Sequence, residues 1–546
     1  MTTDTSYKPA AVSPSLAEPL TPQAQRSIFI ASFMTLIAAG IGFAVRGGIL
    51  ADWGAQFAFT KSQLGAINGA GLAGFGFTII FFSFFADKVG YKALLILAFL
   101  LFAVSAVITL SASSVGQGSA YDMLYYGTFV FSVAQGLCEA AINPLTATLF
   151  PRQKTHYLNI LHAGWPGGLM LGGLLNYLFA TKNAAVFHVP WEILASIYLL
   201  PTLYFGFVTV KRKFPISEAK AAGISIGQML GALVAPMLIF LFAIHAMVGY
   251  VELGTDSWIQ NILSNTLANT ASLLFVYTSL LMFALRFFAG PIVHRINPLG
   301  LLFIAASCGA VGLYFLGSDN TGILIWIAAT IFAFGKSFYW PTMLGVIGER
   351  FPRAGALAMG FSGGIGMLSA GYLGGPGIGY TYDRHASEHL QAIAPDAYNR
   401  VKSPDPKGFL FFSSVQGLDG AKVDVLKDNP PAKTLKEDLE KVTKAGKTDE
   451  GLNKLNDWFE KTEKPFADTD KKVVTDADIF GGREALQITS AIPLAMAISY
   501  LLLVVIFLMK GGYKAVHLDA SGREVEVAHT AGHEMAVEAR GPTTEM

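Results

Sequence analysis

The chain has 546 residues, of which 53% are hydrophobic and only 14% charged, with a mean hydropathy of +0.48. Soluble domains carry about 25% charged residues, so the composition excludes an ordinary soluble protein and marks one that lives in a membrane. A net charge of +1 gives no reason to expect nucleic acid, and the two cysteines, Cys138 and Cys308, lie in apolar runs that imply no disulfide framework.

Residues 1–26 are polar and Pro-containing, without the apolar core of a signal peptide, and read as a disordered cytoplasmic tail. A membrane span needs about 20 mostly apolar residues. Twelve such runs follow, at 27–50, 64–86, 93–112, 123–148, 158–181, 190–210, 229–255, 266–290, 298–317, 321–347, 355–381 and 486–509. An even number puts both termini on one side. The short connections on that side carry eleven Lys and Arg residues, from Lys88 to Arg353, against Lys61 and Lys182 on the other. The positive-inside rule then places the termini in the cytoplasm.

The expected layout is an N-terminal six-helix half (27–210), a cytoplasmic linker (211–228), helices seven to eleven (229–381), an extracytoplasmic insert (382–485), helix twelve (486–509) and a cytoplasmic tail (510–546). The insert is unlike its surroundings, for residues 382–484 hold 37 of the chain's 77 acidic and basic side chains. Apolar spacing at Leu435, Leu439, Val442 and at Leu452, Leu455, Phe459 predicts short amphipathic helices there. Either a small folded cap or a charged disordered loop fits that composition.

Two segments repeat. "SFFADKVGYK" (83–92) follows the second span and "GPIVHRINPL" (290–299) the eighth, 207 residues apart, which divides the spans six and six. Parallel halves around a mid-membrane site are a standard transporter plan. The first copy resembles the loop signature of the major facilitator superfamily, Gly-x-x-x-Asp-Arg/Lys-x-Gly-Arg/Lys-Arg/Lys. Asp87, Lys88, Gly90 and Lys92 match it, Ser83 and Tyr91 depart from it, and Arg295 is the basic residue of the second copy. The resemblance implies an all-α membrane protein of twelve helices in two pseudo-symmetric six-helix halves, with the loop helping to lock one orientation. By itself the loop is equally a basic anchor.

Ionisable groups inside spans are costly and by default mark function. They fall at Arg46, Glu139, His162, His245, Glu252, Arg286 and Lys336, on spans one, four, five, seven, eight and ten. In the resembled fold helices one, four, seven and ten line the cavity, five and eight flank it, and three, six, nine and twelve face lipid. Glu139 lies nine residues from the inner end of its span, about 14 Å deep at about 1.5 Å per residue. Gln135, Glu139 and Asn143 share its face. A carboxylate starved of water favours its neutral form and can accept a proton. The alternative is a permanent ion pair with Arg46 that only holds two helices together.

A narrower resemblance appears in "CEAAINPLTATLFPRQKTHYLNILHAGWPGG" (138–168), which is similar to helices four and five of the fucose–proton symporter family. Glu139, Ala141, Asn143, Pro144, Leu158 and Asn159 match, and "GKSFYWPTMLG" (335–345) is similar to that family's tenth helix through Gly335, Ser337, Pro341 and Thr342. The resemblance implies a proton-coupling role for Glu139. Positions that contact sugar in that family fall here at His162 and Trp165, and its first-helix acid falls near Arg46, so the implied cavity is more basic and more aromatic. Trp165 and Trp340, with Trp53 or Trp258, can stack on a sugar or sit in an interfacial belt. Arg286 can serve structure or bind an anion; His245 and Lys336 can be ligand contacts or satisfied structural groups.

No metal-ligand cluster, nucleophile triad or nucleotide motif is present, so neither enzyme nor cofactor is expected. The sum is a proton-coupled secondary transporter of a sugar or related polar metabolite. Its contact residues would be drawn from Arg46, Gln135, Asn143, His162, Trp165, His245, Glu252, Arg286, Lys336 and Trp340. It would work as a monomer in the lipid bilayer of a bacterial inner membrane, with a small-molecule substrate and protons as partners. An organic-anion carrier and a non-transporting sensor are the alternatives.

Overall fold

The computed structural model describes residues 20–528 apart from 58, 60, 181–185, 268–270, 319–321, 445, 447 and 520–521. Lys182, most of the N-terminal tail and the end of the C-terminal tail lie outside the described residues. Twelve long helices carry the apolar runs: α1 (Pro22–Gly48), α2 (Lys61–Val89), α3 (Tyr91–Ser111), α4 (Gln117–Leu149), α5 (Lys154–Phe179) and α6 (Trp191–Ser196 with Leu199–Lys211). The second half comprises α7 (Pro236–Gly249, then Thr255–Leu267), α8 (Ala271–Arg286), α9 (Ala289–Leu316), α10 (Ile323–Arg350), α11 (Gly355–Ser369, then Gly375–Ile393) and α12 (Ala467–Thr489 with Ala491–Met509). Inside α9 the backbone breaks at Asn297, where φ is 56°. Gly290, ahead of the break, packs on His156 at the start of α5, and the helix resumes at Pro298.

The two halves repeat one another in packing. Contacts of α1 with α5 and α6, α2 with α4, and α3 with α4 and α6 recur as α7 with α11 and α12, α8 with α10, and α9 with α10 and α12. Small residues make the closest approaches: a Cβ at Gly168 would lie 2.8 Å from the Gly40 Cα, and one at Gly249 would overlap the Gly366 carbonyl oxygen. Helix packing in lipid depends on such approaches, because apolar side chains gain little by leaving one apolar medium for another. Across the halves α5 packs on α8 and α2 on α11. Exposed rows such as Val104 and Val107, Leu200 and Leu203, and Leu501 and Leu502 put α3, α6 and α12 on the outer surface.

The insert is a folded cap. α11 runs on to Ile393 and α12 starts at Ala467, so the two stand together beyond both ends of 382–485. Short helices and the hairpin of β1 (Lys407–Phe409) and β2 (Phe412–Val415) close over a core that includes Leu390, Val401, Leu426, Phe459 and Val474. Arg400 clamps it, bonding to Asp470 at 2.5 Å and lying 3.6 Å from Glu463.

The opposite end is tied shut. The buried Glu349 of α10 accepts from the Thr155 backbone N–H at 3.2 Å and its hydroxyl at 2.6 Å, both at the start of α5, and from the Tyr513 hydroxyl at 2.9 Å. Tyr513 leads into a hairpin of β3 (Lys514–Leu518) and β4 (Glu524–Ala528). Arg350 donates to the Lys514 carbonyl and Arg353 to that of Gly522. In the linker, Glu218 accepts from Lys154 at 3.0 Å and from the Leu518 N–H at 3.0 Å. Asp87 takes part as well, its Oδ2 accepting from the Ala356 N–H at 3.2 Å where α11 begins, next to Gly355 at φ 55°.

The hairpin has a defined pH response. Burial alone would push the Glu218 carboxyl up, but Lys154, His517 and the Leu518 N–H outweigh it and hold the group well below the usual carboxylate range. A depressed acid stabilises the fold in full above its unfolded value and loses that contribution progressively as pH falls from there through the folded one. The parent hairpin should therefore stay protected at neutral pH and begin to loosen below about pH 4.5. Glu218→Gln should already be loose at pH 7, by about 1.5–3 kcal/mol for a lost charged hydrogen bond. Hydrogen exchange of the 514–518 amides reads this; equal protection in both proteins at pH 7 would refute it.

Candidate functional site

Arg286 of α8 is the centre of the polar interior. It is buried and spends its donors on three other helices: Nη1 on the His162 carbonyl of α5 (2.5 Å), Nε on the Ser337 carbonyl of α10 (2.7 Å) and Nη2 on the Glu252 carboxylate of α7 (3.0 Å). Both carbonyls are available for a local reason. Pro166 and Pro341 stand four residues after His162 and Ser337, inside their helices, and have no N–H to return. In a bilayer a freed carbonyl must find another donor, and one guanidinium serves both.

On the N-terminal side the face of α4 continues the chain. Asn143 Nδ2 donates to Glu139 Oε2 at 2.7 Å, and Asn143 Oδ1 meets His162 Nε2 at 2.8 Å, so that nitrogen carries the ring hydrogen. An unbroken series thus runs from Glu139 through Asn143, His162 and Arg286 to Glu252, from one half into the other. Gln135 is buried on the same face of α4, with its Nε2 unpartnered. Glu252 sits in a π-helical turn, Tyr250–Gly254, that faces a second one in α11, Ala370–Gly374. Single π turns inside α-helices frequently occur at functional sites.

Lys336 is neutralised by a residue that the sequence reading missed. Asp256 of α7 accepts from its Nζ at 2.5 Å, and the ammonium also lies 5.3 Å above the Phe332 ring. A signal was available, because Asp256 is four residues after Glu252 and so shares its helix face; it escaped notice by lying just past the expected end of the seventh span. Arg286 and Lys336 thus each hold a carboxylate within 3.0 Å. Glu139 has no Arg or Lys within 4 Å among the described residues; its nearest basic atom is His162 Nε2, at 4.0 Å.

The alternative of a Glu139–Arg46 pair does not hold. The Arg46 guanidinium lies over the Phe131 ring at 4.1 Å, and Phe131 precedes Glu139 by eight residues on α4, about 12 Å of helical rise. Arg46 therefore sits inside the N-terminal bundle, away from the central series. Trp165 lies half-buried beside Phe43, 5.6 Å between rings, and Trp340 is buried edge-on to His245 at 4.7 Å. Among the described residues His245 has no hydrogen-bond partner on either ring nitrogen. Trp53 packs on Trp191, and Trp258 donates to the Gly375 carbonyl, so both serve helix packing. At the loop motif Lys92 donates to the carbonyls of Val210 and Arg212, whereas Lys88 and Arg295 are exposed.

A half-broken pair strands a buried charge, which typically costs about 3–5 kcal/mol. Asp256→Asn should therefore lower the melting temperature of the purified protein, and adding Lys336→Met should recover most of the loss. Equal melting of the single and double variants would refute the pairing.

Residues 28–375 match the model of the Major Facilitator Superfamily. Among solved structures the chain is similar to the proton:xylose symporter XylE of E. coli bound to 6-bromo-6-deoxy-D-glucose, with a TM-score of 0.53 and 17% identity over 64% of this chain and 87% of that one. It is also similar to FucP, the E. coli fucose:proton symporter, in its outward conformation, at 0.53 and 18% over 66% and 93%. The human organic anion transporter MFSD10 gives 0.51 and 12% over 69% and 95%. No functionally curated protein matches in sequence. At such identities structural likeness establishes fold alone, but the family model spans well over half of the chain, which accordingly belongs to the major facilitator superfamily.

Proposed function

We propose that this transporter moves a sugar or related small polar metabolite by proton symport with alternating access, and that Glu139 carries the proton. The observation that supports it most strongly is the imbalance of the buried charges. Arg286 and Lys336 are each matched by a carboxylate, and Glu139 is left with hydrogen-bonding partners but no Arg or Lys in ion-pair distance among the described residues. A lone carboxylate deep in a low-dielectric interior is most readily neutralised by a proton. Asn143 and His162 hold it at the face of α4 and link it to the other half through Arg286, so protonation and the fit between halves are coupled. Two sugar–proton symporters among the similar structures agree with this reading.

A second reading, an organic-anion carrier, has one similar structure behind it. It needs an unpaired cation facing the central polar series, where Glu252 and Asp256 already occupy Arg286 and Lys336, while Arg46 lies away from that series over Phe131. A polar neutral substrate, contacted by Gln135, His245, Trp165 and Trp340 beside the charged series, fits the site better. In this proposal the termini are cytoplasmic, the 382–485 cap lies outside, the membrane is a bacterial inner membrane and the monomer is the working unit.

Glu139→Gln mimics the protonated state and keeps its size and hydrogen bonding. It should abolish pH-driven accumulation in proteoliposomes while leaving substrate binding and counterflow exchange intact. Accumulation against a gradient equal to the parent's would rule out Glu139 as the coupling group.

Sidedness has its own measurement. In a background lacking Cys138 and Cys308, a cysteine at the exposed Lys444 should react with an impermeant reagent applied to intact cells, and one at Lys213 should not. Reversed labelling would invert the orientation.

A further inference from the structure

Arg46 presents a problem that the transport mechanism leaves untouched. It lies in the last turn of α1, is 8% exposed, and makes no hydrogen bond or ion pair among the described residues. Its close contact is the face of Phe131, which attracts a cation without neutralising it. A pocket opens beside it between α1, α3 and α6, walled by Trp53, Ala106, Thr109, Leu110 and Tyr198. Two wall groups share the same defect: Trp53 Nε1 and Thr109 Oγ1 are buried with no hydrogen-bond partner among the described residues. Tyr198 donates its hydroxyl hydrogen to the Phe102 carbonyl at 3.1 Å.

Arg46, Trp53 and Thr109 therefore wall one pocket with no carboxylate among its described lining residues. Buried donors without acceptors, and a buried cation without an anion, are each unfavourable. One occupant cures all three, provided it is negative and small, since the free space takes about one water-sized particle. We infer that this pocket binds a monovalent anion of halide size, held by the Arg46 guanidinium, the Trp53 N–H and the Thr109 hydroxyl. The anion completes the packing of α1 against α3, α4 and α6 within the N-terminal half. Phe131 separates it from the Glu139 series by two helical turns, so the inference stands apart from the proposed transport chemistry.

The test is thermal unfolding of the purified full-length protein in sodium chloride, bromide or gluconate at constant ionic strength. Binding to the folded state alone raises stability with ligand concentration. The melting temperature should climb saturably with chloride and bromide and stay flat with gluconate. Arg46→Gln should abolish the dependence. Thr109→Val, which keeps the shape of the site, should shift the midpoint to about tenfold higher chloride, as expected for one lost hydrogen bond to a charged acceptor. Iodide should quench indole fluorescence with a saturating component that Trp53→Phe removes, which keeps the site measurable if Arg46→Gln does not fold. Identical melting in chloride and gluconate would overturn the inference, as would a chloride effect unchanged in both Arg46→Gln and Thr109→Val. Chloride-independent melting together with strong destabilisation by Asp52→Asn would assign the balancing charge to Asp52 instead.

Discussion

The interior of this protein is organised by one guanidinium. Arg286 satisfies two backbone carbonyls that helix-interior prolines have released, on α5 and α10, and the carboxylate of Glu252 on α7. Each bond has a separate local cause, and together they require four helices from both halves to meet at one level of the membrane. The arrangement is demanding because the bilayer supplies no water to replace a lost partner. It is also informative, since a helix that shifts against α8 must give up a charge-assisted hydrogen bond or carry Arg286 with it. Proline here does two things at once. It breaks the regularity of a helix, and it creates the acceptor through which that helix is tied to its neighbours.

Around that node the charges sort themselves. A lysine and an arginine within a membrane would ordinarily suggest an anionic ligand, but both are already matched by acids on α7, four residues apart. What remains is a carboxylate with amide and imidazole neighbours. Helices α7, α8 and α10 thus hold a permanent set of charges, which fixes geometry, and α4 of the other half carries Glu139, the group that the proposed symport would charge and discharge. That division is what a coupled carrier requires, since a group held as a fixed ion pair cannot report the arrival of a proton.

The sequence revealed the twelve spans, the six-and-six division, the loop motif and most of the ionisable residues buried within the spans, because hydropathy and the cost of an intramembrane charge are both local properties. Pairing is not local. Asp256 looked like the end of a span because polar residues resume there, yet α7 continues to Leu267 with Asp256 directed at Lys336. Arg46 looked like a partner for Glu139 because both are buried charges on cavity helices, and only the position of Phe131 separates them. Similarly, the ends of α11 and α12 were placed at the loss of hydrophobicity, at 381 and 486, whereas the helices continue outward as an amphipathic pair whose Gly481 abuts Ala386 and the Tyr382 carbonyl. Hydropathy marks where lipid ends; it does not mark where a helix ends.

The two soluble elements then play unequal parts. The cap stands on α11 and α12, and Gly482 of α12 packs on Ile262 of α7, so it is an extension of the C-terminal half and can travel with it as a body. The C-terminal hairpin binds α10, and it reaches across to the linker through Glu218, whose carboxylate also holds Lys154 of the N-terminal half. Glu349 repeats the crossing, bonding α5 and the residue that leads into the hairpin with its two oxygens. Rocking of one half against the other would leave the cap's internal contacts as they are, but it would have to break these crossings. The resistance to opening at this end is therefore set by a few charge-assisted bonds that a short β-hairpin helps to hold, and it can be adjusted without altering any residue of the buried polar series.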